Sequence, residues 1–303
     1  MSSPMTVEKV HTYTGHKDCL YVMQIIDESR LVSAGADGMI ILWDLKKLTE
    51  GRMIAQVPTS VYALAYDSQK DELVIGQNFD GISVIGVDDK VEKHSLSFTK
   101  SAIFDIKLDE KYVFAACGNG ELVVIDRAKW QIEKRVQLSE KSARTIALNE
   151  QHIAVGYSDN YIRIFERESF NCVHEFRAHD ISVFTLQFDP TGRYLVSGSR
   201  DAQIKIWEVQ NYELVNAISA HMYAINHLTF SPDHRHFVSC SMDKSIKIWD
   251  SSSFKLQKVI DKARHAGHGT SVNKLAWLSF KNYLVSCSDD RTISVWDINF
   301  DNQ

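Results

Sequence analysis

Proline is scarce in this chain, with four among 303 residues, and long apolar runs are missing altogether. No stretch approaches the roughly 18 apolar residues of a membrane-spanning helix. The opening residues MSSPMTVEKV have neither the basic start nor the apolar core of about 7 to 15 residues that a secretory signal needs. These absences predict a cytoplasmic protein with no membrane partner, the nucleus also being open to it. Cysteine is sparse too: five, an odd number at irregular spacing, as expected in a reducing compartment. A basic excess is lacking, the formal net charge being -5, which argues against a general nucleic-acid surface. Lysines such as Lys46, Lys205 and Lys247 are scattered and read as solvated positions. No GxSxG, HExxH, CxxC or phosphate-cradling glycine loop occurs. His265 and His268 stand three apart without a Cys or third His nearby, too few donors for a structural zinc site. With 44% apolar and 10% aromatic residues, the rest is an ordinary globular composition.

What the chain does have is repetition. The stretch from His179 to Trp207 holds three short strands, VFTLQF, RYLVSGS and AQIKIW, separated by turn residues, and His221 to Trp249 repeats it almost position by position. Aligning on the Trp position places Trp43, Gly86, Ile125, Phe165, Trp207, Trp249 and Trp296 in register, at spacings of 43, 39, 40, 42, 42 and 47. Six residues earlier stand Asp37, Asp80, Asn119, Asp159, Asp201, Asp243 and Asp290, at the turn between second and third strands. Their side chains are suited to bonding the turn backbone. Four units carry a fuller set: His16, Ser33, Asp37, Trp43; His179, Ser197, Asp201, Trp207; His221, Ser239, Asp243, Trp249; and His268, Ser286, Asp290, Trp296. A Ser, His and Asp recurring four times in register with a Trp is scaffold rather than a hydrolase triad.

Trp43-Asp44, Trp249-Asp250, Trp296-Asp297, Gly15-His16 and Gly267-His268 resemble the WD-repeat family over nearly the whole chain. The resemblance implies an all-β, seven-bladed propeller with four antiparallel strands per blade, and a buried hydrogen-bonded chain in each tetrad. It predicts one domain over 1–303, with units at 15–56, 57–98, 99–138, 139–178, 179–220, 221–267 and 268–303. Residues 6–14 should supply the outer strand that the last unit lacks, closing the ring. About five extra residues, in DKARHAGHGT, form a loop before His268.

First strands depart from alternation. Apolar residues fall at offsets 0, 3 and 5, as in Val183, Leu186 and Phe188, which requires a bulge that turns one side chain outward. The residues so turned are Tyr21, Tyr62, Phe104, Arg144, Phe184, Asn226 and Asn273. The resemblance implies that partner peptides cross the narrow face, where first strands begin and second-to-third turns emerge. Carried over by position, it adds Phe79, Arg200, Met242 and Asp289 to the bulge residues as the expected partner-binding set. Aromatic residues and arginine are the types enriched at interface hot spots. The sequence thus predicts a non-enzymatic scaffold or adaptor without cofactor or metal, a monomeric propeller within a larger complex that binds one or more proteins. An enzyme, or a phospho-ligand or nucleic-acid reader, built on a propeller is the alternative.

Overall fold

The computed structural model describes residues 5–48 and 51–300. The first four residues of the MSSPMTVEKV reading, and residues 301–303, lie outside that set. The fold is an all-β seven-bladed propeller, 56% strand and 2% helix. Each of its seven sheets has four antiparallel strands in the simple order first to fourth, spanning residues 20–56, 64–97, 103–137, 143–177, 183–219 and 225–260, with 272–299 completed by Thr6–Tyr13.

Burial explains why each strand reads as it does. Second and third strands, such as Tyr112–Cys117 and Glu121–Asp126, are covered on both faces and are therefore nearly continuous apolar runs. Fourth strands such as Glu92–Ser97 and Cys172–Arg177 are largely exposed, and carry the charged residues that keep an edge from pairing elsewhere. The Asp after the Trp position has a turn to make: Asp126 Oδ1 accepts from Ala128 N and Lys129 N, and Asp250 Oδ1 from Ser252 N and Ser253 N.

Two compact units divide the chain, Val57–Ile225 and Met1–Gln56 with Asn226–Gln303. In the first, which holds blades two to five, neighbouring blades share cores. Phe114, Leu122 and Val124 of the third blade pack with Ile146, Val155, Tyr157 and Phe165 of the fourth. Each such side chain contributes about 1.5–3 kcal/mol on burial. Ion pairs join the same blades, Arg167 of the fourth meeting Asp109 of the third at 2.5 Å. In the second unit, Thr6–Tyr13 runs antiparallel to Ile293–Asn299, from Thr6 opposite Asn299 to Tyr13 opposite Ile293. The expected loop before His268 contains a short helix, Lys262–His265, capped by the Asp261 side chain accepting from Arg264 N.

One register differs from the repeat alignment. In the second blade Leu73 pairs with Ile85, as Leu31 pairs with Trp43 and Leu195 with Trp207, so Ile85 rather than Gly86 holds the Trp position. Its turn shifts with it. A left-handed residue follows the turn Asp or Asn elsewhere, at Gly38, Gly120, Asn160, Ala202, Lys244 and Arg291, but here it is Phe79, preceding Asp80. Asp80 consequently makes no side-chain hydrogen bond to a described residue, whereas Asp37, Asp159 and Asp201 each accept from the N–H two residues on.

Candidate partner-binding site

The bulges are where the apolar offsets put them. Register breaks fall at Leu20/Val22, Ile103/Asp105, Ala143/Thr145, Val183/Thr185 and Val272/Lys274, freeing Tyr21, Phe104, Arg144, Phe184 and Asn273 from the ladder. Tyr62 lies just ahead of its strand, Leu64–Asp67, and Asn226 is the second residue of Ile225–Phe230. All seven are half-buried. Backbone bonds tie the neighbouring turns to the same place: Gly118 N to Ala102 O, Ser158 N to Ser142 O and Arg200 N to Ser182 O, at 2.7, 2.9 and 3.0 Å.

Within Val57–Ile225 these positions form a continuous run. The Tyr62 and Phe104 rings lie 5.6 Å apart between centroids. The Arg144 guanidinium carbon sits 3.8 Å from the Phe104 ring centre and 4.7 Å from that of Phe184. Burial of Arg144 pulls its pKa down to about 10, against a raising influence from Tyr62, so it remains a cation at neutral pH. It makes no hydrogen bond or ion pair with any described residue. Asp105, the carboxylate beside Phe104, accepts from Ile146 N at 2.8 Å and lies 3.6 Å from Lys107.

The corresponding positions of the other unit are built from amides. Asn226 Nδ2 donates to Ser271 Oγ and Val272 O, both at 2.9 Å. Asn273 Nδ2 donates to Leu20 O and Asp289 Oδ1, both at 2.7 Å. Tyr21 is half-buried in the first blade. Phe79 and Met242, 59% and 51% exposed, project from hairpin turns, as does Arg200. The Phe79 ring meets no other aromatic ring or cation among the described residues. Thus four of the eleven expected residues join in an aromatic–cation run, and Asn226, Asn273 and Asp289 join in a separate polar network.

The tetrads are internal. Trp207 Nε1 donates to Ser197 Oγ at 2.9 Å, Ser197 Oγ lies 2.8 Å from His179 Nε2, and His179 Nδ1 lies 2.9 Å from Asp201. With a neutral imidazole protonated on Nδ1, that nitrogen donates to the carboxylate and the serine hydroxyl donates to Nε2. His16, Ser33, Trp43 and Asp37 repeat this arrangement, as do His268, Ser286, Trp296 and Asp290. In the sixth blade Trp249 Nε1 donates to Ser239 Oγ at 2.9 Å, and Asp243 Oδ1 accepts from Ser245 N. His221 is buried. Burial pushes the His16 and His179 pKa values below the usual 6.5, against their carboxylates. Burial alone would raise Asp201, but the His179 hydrogen bond and the N–H groups of Gln203 and Asp180 hold it at about 2.

Where the fourth blade lacks His and Trp, Arg163 takes over. It is buried, bonds Asp159 at 2.9 Å and Glu175 at 3.0 Å, and lies over the Tyr157 ring. The repeat alignment missed it, although a charged residue inside the apolar run YIRIFE, four after the turn Asp159, was a usable signal. It also missed the bonds between blades made by the residue after the bulge, Asp105 to Ile146 N and Thr145 Oγ1 to Leu186 N.

Blades of this strand order, carrying His–Ser–Trp–Asp networks, define a WD-repeat propeller. The WD40 family model, described as WD domain, G-beta repeat, matches residues 7–44, 170–208, 212–250 and 261–297, about half of the chain, which belongs to this family. WD40 propellers are generally protein-interaction scaffolds. Striatin-3 of Mus musculus is 21% identical over 229 aligned residues, which take in 65% of this chain but 28% of that protein. The crystal structure of the WD40 beta propeller domain of Doa1 superposes with a TM-score of 0.86 at 17% identity, over 96% of each chain, a likeness of fold. Among the described residues no helix is long and apolar enough to cross a membrane, and no cluster of three His, Cys, Asp or Glu is placed to hold a metal.

Proposed function

We propose that this chain is a non-enzymatic scaffold that docks a peptide segment of a partner protein on the run Tyr62, Phe104, Arg144 and Phe184. One observation carries the reading: a half-buried cation lies over two aromatic rings, on the turn-bearing side of the blades, with none of its donors bonded to a described residue. Aromatic rings and arginine supply large contact area at low entropic cost, and a partly dehydrated guanidinium gains most from a new contact. The tetrads leave no acid, base or nucleophile free for chemistry at these sites, which supports binding over catalysis. The five free cysteines, three of them buried, suit an intracellular, reducing setting, and the seven blades are read as acting in one domain.

The test is affinity capture from the native organism with wild-type chain and with the pair Phe104→Ala and Phe184→Ala. The pair should weaken capture of at least one partner by about tenfold or more, equivalent to about 1.4 kcal/mol. Thermal stability should fall far less than for Trp249→Ala, a core deletion of about 3–5 kcal/mol. Capture of every partner at the wild-type level would remove this run as the docking site.

A further inference from the structure

We propose that Arg144 is a receptor for an oxyanion, the carboxylate of an acidic side chain or a phosphate, carried by an extended peptide segment. This deepens the docking reading above and rests on it. The Arg144 guanidinium carbon lies over the Phe104 ring and over the Phe184 ring, while its N–H rim bonds no described residue. That rim is a planar fork of donors with no acceptor, and carboxylates and phosphates match it with two parallel bonds.

Other arginines of the same unit show what this one lacks. Arg127 and Arg167, half-buried, meet Asp67 and Asp109, and the buried Arg163 meets Asp159 and Glu175. Among the described residues Arg144 meets rings and no carboxylate. Asp105, next to Phe104 in the chain, accepts from Ile146 N and pairs with Lys107. A cation without its counter-charge in a place that water reaches poorly is costly, and it attracts an anion more strongly than a solvated one would.

The geometry also excludes the opposite ligand. Two aromatic rings flanking a gap could receive a cationic side chain. Here the chain's own Arg144 already lies over both rings, so an incoming lysine or arginine meets a like charge. The amide network of the other unit offers no equivalent, because the Asn226 and Asn273 donors are already bonded to Ser271, Val272, Leu20 and Asp289.

The test uses the full chain and four acetylated, amidated pentapeptides, Ala-Leu-X-Leu-Ala, with X as Glu, phosphoserine, Gln or Lys. The Arg144 Nε–H signal is followed in proton–nitrogen correlation spectra and assigned by its loss in Arg144→Gln. The expected result is a saturable shift with Glu, phosphoserine or both, at least about tenfold weaker binding for Gln, and no shift with Lys. Preference for phosphoserine over Glu would assign the oxyanion to a phosphate, and the reverse to a carboxylate. Arg144→Lys keeps the charge without the fork and should bind more weakly than wild type while melting at the same temperature. Equal binding of Gln and Glu, a response to Lys, or no Arg144 shift with any peptide up to millimolar concentration overturns the proposal. If Phe104→Ala with Phe184→Ala abolishes partner capture while Gln and Glu bind alike, the docking site stands and the oxyanion receptor falls. If the Glu or phosphoserine peptide shifts Arg144 but that pair leaves capture intact, the receptor stands and partner docking lies elsewhere.

Discussion

Replacing Asp201 by alanine removes one end of a buried chain, and the structure sets the size of the loss. The carboxylate is 7% exposed and accepts from His179 Nδ1 at 2.9 Å, Gln203 N at 2.9 Å and Asp180 N at 3.2 Å. The His179 side chain is fully buried, so its N–H would be left without an acceptor, at about 1–3 kcal/mol. The two backbone groups lie at a turn that water reaches, and add roughly 0.5 kcal/mol each at most. A second route gives a similar figure: a carboxyl held at about 2 against its ordinary 3.8 represents on the order of 2 kcal/mol, before discounting the solvent that still screens it. The expected cost is therefore about 2–3 kcal/mol. Asp80→Ala is the matched control. It lies at the equivalent hairpin in the same compact unit, its side chain bonds no described residue, and its loss should stay within about 0.5 kcal/mol. Urea unfolding of both variants, followed by tryptophan fluorescence and circular dichroism, measures the difference. Asp201→Asn, which keeps an acceptor but not the charge, should recover part of the loss. Equal losses at Asp201 and Asp80, or none at Asp201, would refute the assignment of stability to the hydrogen-bonded chain.

Acid should destabilise the fold in two stages. His16 and His179 have folded pKa values below 6.5, so the unfolded chain binds protons first, and their contribution is complete above that value and lost as pH falls below it. Asp201 and Asp250, both held at about 2, add a second loss as pH falls from 3.8 toward that value. Urea midpoints that stay level or rise from neutral pH down to about 5 would contradict the first stage. In the fourth blade, Arg163→Ala should cost about 3 kcal/mol by stranding Asp159 and losing the Tyr157 contact. A double-mutant cycle with Asp159→Ala should give at least about 1 kcal/mol of coupling, and additive losses would count against the bridge. Removing residues 1–13 strips the outer strand from the last blade and bares the edge of Ile293–Asn299. Light scattering should show aggregation, and a truncated chain that stays monomeric with an unchanged melting temperature would contradict the pairing.

Several features could be read from residue order because each is local or repeated. Strands and turns follow from short apolar runs bounded by turn residues, and the bulges from the 0, 3, 5 offsets. The tetrads are legible because His, Ser, Asp and Trp recur at near-constant spacing, so one copy interprets the next. Where that set thins out, so does the reading. In the second blade neither His nor Trp marks the register, and a strand buried on both faces accepts a one-residue slip without breaking its apolar pattern. Only the pairing of Leu73 with Ile85 showed the turn to be at Phe79. The fourth blade's Arg163 went unread for a related reason, since its partners are Asp159, four residues away, and Glu175 across a strand. The binding run depended on folding most of all. Alternation tells which way a side chain leaves its strand and nothing of what it meets there. Phe104, Arg144 and Phe184 stand forty residues apart and come together only because successive blades stack. Asn226 and Asn273 leave their strands in the same sense and meet amides, serine and carboxylate instead. Alike positions therefore became a cation among aromatic rings in one unit and an amide network in the other, because a contact is set by the neighbour a blade brings.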